Sequence, residues 1–240
     1  MLSAILILAA IVVGCSVFFR VDEVRVLGEE RYTKEQIAAA AGVKDGESLL
    51  LVNKFRIAPR LISTLPYLES VSIYRDLPDT LVIEVRECTA VASIPAGEAT
   101  WLISARGKLL ERSTVPVSAY PAVEGLVPQA PVEGTAMQVA EEDALRWKSL
   151  LQVFSALAER GMLGGVQGFD MSAPNAIQVK YLNRFTIRMP ASGSDYAYLL
   201  RAADTAIRTK LGATDSGVLD MTDAEEKGEF RLIPYAREKG

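Results

Sequence analysis

Four carboxylates fall within seven residues in "DMTDAEE", residues 220–226, where the chain comes nearest to acid–base or divalent-ion chemistry. A calcium loop needs oxygen ligands at alternating positions, a central glycine and a closing Glu, and this stretch lacks that order. It is expected to be a solvated turn between two strands. Ser113 with Thr114 and Ser192 with Ser194 supply hydroxyls, but the chain has no histidine. A serine nucleophile would then need a lysine or another unusual base, and no such motif stands nearby. "GMLGGVQG", residues 161–168, has four glycines without phosphate-cradling spacing and follows a helical pattern, so it is expected to be a loop. Cys15 and Cys88 are the only cysteines, which excludes a disulfide scaffold and a cysteine-rich zinc site. Cys88, at a strand end, is expected to be a small packed residue. No catalytic, cofactor-binding or metal site is expected, no cofactor is implied, and the chain does not read as an enzyme.

A chain of 240 residues allows one or two compact domains. The net charge is −4, with Lys and Arg scattered rather than striped, which argues against nucleic acid as a partner. No small-molecule substrate is implied either. Residues 2–19 carry no charge; as a helix they would extend roughly 27 Å, near the hydrocarbon thickness of a bilayer. A single transmembrane helix over 1–19 is the first reading. A cleaved signal peptide would lack its basic n-region and A-x-A site. "VVGC", residues 12–15, resembles a lipoprotein cleavage box that would lipidate Cys15, though no Lys or Arg precedes the apolar run. Arg20, Arg25, Arg31 and Lys34 follow the segment, and the positive-inside rule taken literally would put the C-terminal bulk in the cytoplasm. A basic tail ahead of Met1 would change that balance, so charge bias alone leaves the orientation open.

Residues 22–27 alternate as a half-buried strand, with Val24 and Val26 apolar, and Gly28 ends the run. Thr33 and Gln36 have capping-box spacing, Ile37, Ala40 and Ala41 share a helical face, and Gly42 sits at a helix stop. Ile57, Leu61, Ile62 and Leu65 define a second helix, with Pro59 expected in its first turn and Pro66 beyond its end. Val71 and Ile73 should then face Leu81, Ile83 and Val85 across a hairpin, Pro78 taking the second turn position and Asp79 the next. The order strand, helix, helix, strand, strand makes a small α+β unit with three strands.

"VDEVRVLGEERYTKEQIAAAAGVKDGESLLLVN" and "LPYLESVSIYRDLPDTLVIEVREC" resemble the POTRA domain of the FtsQ/DivIB bacterial cell-division family. Thr89 departs from the family's usual Pro. The resemblance implies a POTRA domain over 20–88, a β-domain over 89–235 and a tail over 236–240.

The second half resembles the family more loosely. "TWLISARGKLLE" reads as strand–turn–strand, with Ser104 where the family has Asp, and "YPAVEGL" is similar to another family segment. Residues 113–140 read as a loop. Trp147, Leu150, Leu151, Phe154, Leu157 and Ala158 share one face of a helix stopped at Gly161. Trp101 and Trp147 read as core. Ile177, Val179 and Tyr181 alternate, as do Phe185, Ile187 and Met189, with Asn183 and Arg184 expected as the hairpin turn. A helix over Tyr196–Leu211 should end at Gly212. "GVLDMT" and "GEFRLIPY" read as the last strands, giving a second α+β domain with a mostly antiparallel sheet.

Glu229 to Tyr235 is the candidate binding segment: Phe230 and Leu232 point one way, Arg231, Ile233 and Tyr235 the other. Pro234 cannot donate to a ladder, so the strand is expected at an edge. An edge offers backbone groups to an arriving strand; the bland alternative is an edge protected by Glu229, Arg231 and Pro234 that binds nothing. The resemblance implies that the end of the β-domain docks FtsB/DivIC-like and FtsL-like coiled-coil partners. It implies a single-pass inner-membrane scaffold with extracytoplasmic C-terminal domains, at the division septum, that recruits and regulates septal wall synthesis. A rival reading is a POTRA-bearing component of protein transport or outer-membrane assembly.

Overall fold

The computed structural model describes residues 18–115 and 117–235, with the backbone alone at Glu226. The expected membrane span therefore lies outside the described residues except for Phe18 and Phe19, as do Cys15 and the 236–240 tail. Among the described residues, no helix is long and apolar enough to cross a membrane. The chain divides into two compact units between Cys88 and Thr89.

The first unit runs β1 (Glu23–Leu27), α1 (Lys34–Ala41), α2 (Lys54–Thr64), β2 (Leu68–Asp76) and β3 (Thr80–Glu87). Its sheet has the order β1-β3-β2, with β1 parallel to β3 and β2 antiparallel to it. The capping box is present: Gln36 N donates to Thr33 Oγ1 at 3.2 Å and Thr33 N to Gln36 Oε1 at 2.9 Å. Such a cap contributes about 1 kcal/mol to an eight-residue helix that would be marginal alone. Ile37, Ala41, Ile57 and Leu61 meet Ile73, Leu81, Ile83 and Val85 in one apolar core, and Val71 packs at its margin. Gly28 is required where it stands: its φ is 83°, and a Cβ there would lie 2.2 Å from the Val85 carbonyl oxygen.

Two local expectations fail in this unit. Pro59 lies inside α2 rather than in its first turn, because Asn53 caps the helix earlier by accepting from Phe55 N at 3.1 Å. The Leu77–Pro78 peptide is cis and the hairpin loop spans three residues, with Asp76 paired to Thr80, so Pro78 does not preset a two-residue turn.

The second unit begins with β4 (Ala90–Ala96), β5 (Ala99–Ser104), β6 (Leu109–Ser113) and β7 (Ala122–Glu124). Next come α3 (Ala144–Glu159), β8 (Val166–Asp170), β9 (Ala176–Tyr181), β10 (Phe185–Pro190) and α4 (Tyr196–Thr209). It ends with β11 (Gly217–Asp220), α5 (Ala224–Lys227) and β12 (Arg231–Pro234). These strands form one nine-stranded sheet, ordered β12-β11-β10-β9-β8-β7-β4-β5-β6. Five of its pairings are antiparallel, and three, β10–β11, β7–β8 and β4–β7, are parallel. The sheet is mixed, with the antiparallel majority expected. Alternation decides which face is covered: Ile177, Val179, Phe185, Ile187 and Leu219 point into a core shared with Trp147, Phe154, Leu199 and Leu200 of the two long helices. Trp101 joins the same core.

The structure rotates or trims several expected elements. In α3 the buried face takes Val153 and Ala156, and Ala158 is exposed; a 16-residue helix between a sheet and a second helix buries a broader arc than a single stripe. The β9–β10 turn centres on Leu182 and Asn183, both at φ 54°, one residue earlier than Asn183–Arg184. Helix α4 stops at Thr209, where Lys210 N reaches Ala206 O, and Gly212 is not its left-handed cap. Val166, Gln167 and Gly168, read as loop, belong to β8. Residues 224–227 form a helical turn instead of a plain turn, ended by Gly228 at φ 65°. The terminal strand covers Arg231–Pro234, shorter than the expected Glu229–Tyr235.

Candidate functional site

Strand β12 is held by β11, which lies between it and β10. Gly217 N donates to Arg184 O at 3.0 Å and Met221 N to Arg188 O at 2.8 Å. The odd-numbered residues of β11 thus direct their backbone groups toward β10, and Val218 and Asp220 direct theirs toward β12. Their register partners are Ile233 and Arg231. It follows from strand alternation that Ile233 and Arg231 bond inward, while the N–H and C=O of Leu232 and the C=O of Pro234 point away from the sheet. Pro234 sits where its missing N–H costs no internal bond. Among the described residues, β12 is the last strand and nothing flanks its outer side.

Gly217 permits the close approach. A Cβ there would lie 2.3 Å from Ile233 O and 2.8 Å from Pro234 Cα. Its φ of 153° is one that L-residues avoid.

The side chains divide by face. Phe230 and Leu232 pack partly buried against the unit's own core, and the Lys210 ammonium lies 5.5 Å from the Phe230 ring centroid. Ile233 and Tyr235 stay 50% and 45% exposed on the opposite face. There the Tyr235 hydroxyl lies 2.7 Å from Thr186 Oγ1, reaching across β11 past Val218. Beside this row, Arg188 and Asp220 pair at 3.7 Å. Asp220 also accepts from Thr222 N at 3.1 Å and Thr222 Oγ1 at 2.6 Å. Lys227 donates to Asp223 at 2.8 Å, and this bond, with the positive charges of Lys227 and Arg231, holds the Asp223 carboxyl below its ordinary range.

Of the seven residues expected in the segment, Arg231, Leu232, Ile233 and Pro234 lie in β12, Glu229 and Phe230 precede it, and Tyr235 follows it. The structure adds Val218 and Thr186 as their outer-face neighbours. The alternation in "GVLD" and "FTIRMP" places both opposite the core, but only the pairing of β10 with β11 brings them beside β12. The acidic stretch assembles no catalytic or ligand cluster: among the described residues, no three His, Cys, Asp or Glu side chains converge as metal ligands. Ser113 Oγ donates to Val115 O at 2.9 Å and caps a turn.

Comparison with known proteins agrees with the first unit's topology. Residues 19–87 match the family described as "POTRA domain, FtsQ-type", so the chain is a protein with an FtsQ-type POTRA domain. The cell division protein DivIB of Clostridium botulinum strain Hall is 24% identical over 207 residues, covering 85% of this chain and 79% of that protein. FtsQ of Corynebacterium glutamicum is 28% identical over 98 residues, covering 41% of this chain and 44% of that protein. DivIB of C. botulinum strain Loch Maree is 32% identical over 95 residues, covering 40% and 37%. The last two alignments thus span less than half of each relative. Residues 19–87 thus carry an FtsQ-type POTRA domain, and the chain is similar to cell division proteins named DivIB and FtsQ.

Proposed function

We propose that this protein is a bitopic membrane scaffold of the bacterial division machinery. Residues 1–19 anchor it in the inner membrane, with the POTRA domain (20–88) and β-domain (89–235) outside the cytoplasm at the septum. Through the outer side of β12 it captures the extracytoplasmic segment of an FtsB/DivIC-like partner, itself paired with an FtsL-like chain, and so helps recruit and regulate septal peptidoglycan synthesis. It performs no reaction. The anchor raises the local concentration of partners confined to the same membrane, so a modest strand-pairing affinity suffices.

The observation that carries this reading is the bare backbone of β12. An incoming strand would bond to Leu232 N–H and C=O and to Pro234 C=O, with Ile233 and Tyr235 offering one face for side-chain selection. The test is co-purification of the full chain with its coiled-coil partner. Leu232→Pro removes the outward N–H and should weaken capture at least tenfold while near-native unfolding is retained. Arg231→Pro removes the inward bond to β11 instead, so it should both weaken capture and free the strand. Full capture by a folded Leu232→Pro protein would refute docking at this edge.

A further inference from the structure

Five of the exposed large apolar side chains of the POTRA domain, Phe18, Leu50, Leu51, Phe55 and Leu77, lie on segments at one end of it. Hydrogen bonds tie their segments into a single rim. Leu49 N donates to Phe19 O at 2.9 Å and Val21 N to Glu47 O at 2.9 Å, so the 46–53 loop runs beside the chain's entry into the domain. Arg75, at the end of β2, donates to the carbonyls of Leu49 at 2.6 Å and Val52 at 2.9 Å, and Asp22 N reaches Asp79 O at 2.9 Å. The 77–79 turn therefore belongs to the same rim. At the opposite end, the Glu87 carboxylate accepts from the backbone of Glu30, Arg31 and Tyr32.

Leu51 is 78% exposed and Phe55 81%. A water-soluble domain seldom leaves several large apolar side chains together in solvent, and a group of them marks a surface that something covers. The sequence points to the cover. The charge-free run of residues 2–19 ends at this rim, at Phe18 and Phe19. Basic Arg20, Lys54 and Arg56 are interspersed with acidic Asp22, Asp45 and Glu47. That mixture gives no strong pull toward anionic lipid, and apolar burial has to dominate. We infer that this rim is a lipid-facing surface: the POTRA domain seats Leu50, Leu51, Phe55 and Leu77 in the headgroup–acyl boundary of the bilayer that holds its anchor. The inference rests on the single-span reading above. What it adds is a second attachment that fixes the domain's tilt on the membrane.

The test uses the full chain reconstituted in phosphatidylcholine–phosphatidylglycerol nanodiscs, with both native cysteines changed to serine. A fluorophore is attached at Leu51→Cys and, separately, at Lys34→Cys on the far rim. The eight residues of β3 separate the two ends by about 23 Å. Doxyl-labelled lipid should quench position 51 at least threefold more than position 34, and Leu50→Asp with Phe55→Asp should abolish the difference. Equal weak quenching at both positions, in a chain that resists carbonate extraction, would overturn the rim and leave the anchor standing. Shielding of position 51 from both doxyl lipid and aqueous iodide would mean a protein covers it, which also overturns the lipid assignment. Release of the whole chain by carbonate would remove the anchor reading and the rim with it.

Discussion

The two ends of the nine-stranded sheet solve the edge problem in opposite ways. At β6 the chain covers the start of its own edge. Leu109 N donates to Thr135 O at 2.8 Å, Gly134 N returns a bond to Leu109 O at 2.8 Å, and Met137 N reaches Gly107 O at 2.8 Å. Lys108 and Ala136 form an antiparallel bridge, and Met137 is buried beneath. At β12 the chain stops at four residues with no such cover among those described. A protein able to fold a connecting segment over one edge is under no general constraint to leave the other bare. The contrast, more than the exposure itself, is what supports the proposed docking at β12.

Substitutions that remove an N–H at each edge should sharpen the contrast most. Leu109→Pro deletes a bond to the covering segment and replaces a side chain that is 1% exposed. The lost bond and the cavity together should cost more than about 3 kcal/mol, so urea unfolding should show a much lowered midpoint for the β-domain. Leu232→Pro removes an N–H that bonds nothing among the described residues and should cost about 1 kcal/mol, mostly from lost packing. Partner capture should respond in the reverse order. Equal destabilisation by the two would mean that β12 is as integrated as β6 and would undo the distinction.

Gly217→Ala comes next. Its Cβ would meet the β12 backbone at 2.3 Å, and its φ is unsuited to alanine. We expect a loss of about 1–3 kcal/mol confined to the β11–β12 pairing. Hydrogen exchange should report it as faster exchange at Arg231 and Ile233, with the Leu109 and Met137 amides unchanged. A uniform acceleration across the sheet would show that the two edges are coupled.

This contrast was only half legible in the sequence. Pro234 and the alternation from Phe230 to Tyr235 sufficed to place the last strand at an edge, because a missing donor is a local property. The cover over β6 was illegible: residues 113–140 have no period, and Gly134 to Met137 pair with β6 by meeting its backbone, which no side-chain pattern records. The same limit hides whether Arg231 or Leu232 turns its N–H toward a partner. Which backbone groups point outward depends on the parity of β11, set by the parallel bond from Gly217 to Arg184 across a helix-long connection. The POTRA half was legible almost throughout, since its helices carry their own caps and β2 and β3 form a local hairpin. Its misreadings, at Pro59 and Pro78, are prolines whose role depends on the capping residue or on peptide geometry.

The smallest expected effect tests whether β12 is pre-ordered. Tyr235 follows the strand and reaches back over Val218 to Thr186, two strands inward, with a 2.7 Å bond between hydroxyls. A partly exposed hydroxyl pair contributes at the low end for a hydrogen bond, about 0.5 kcal/mol, equivalent to about a twofold change in an opening equilibrium. Tyr235→Phe should therefore roughly double exchange at the inward Ile233 amide and weaken partner capture by a similar factor, while leaving the ring's contacts in place. Thr186→Val should do the same from the other side, and combining the two should add nothing further, because they delete one bond. If the double variant loses twice as much, the hydroxyls act separately, and the side of β12 nearest the partner is ordered by the backbone ladder alone. That outcome would make the open edge a looser template than the closed one, and capture would then include the cost of ordering it.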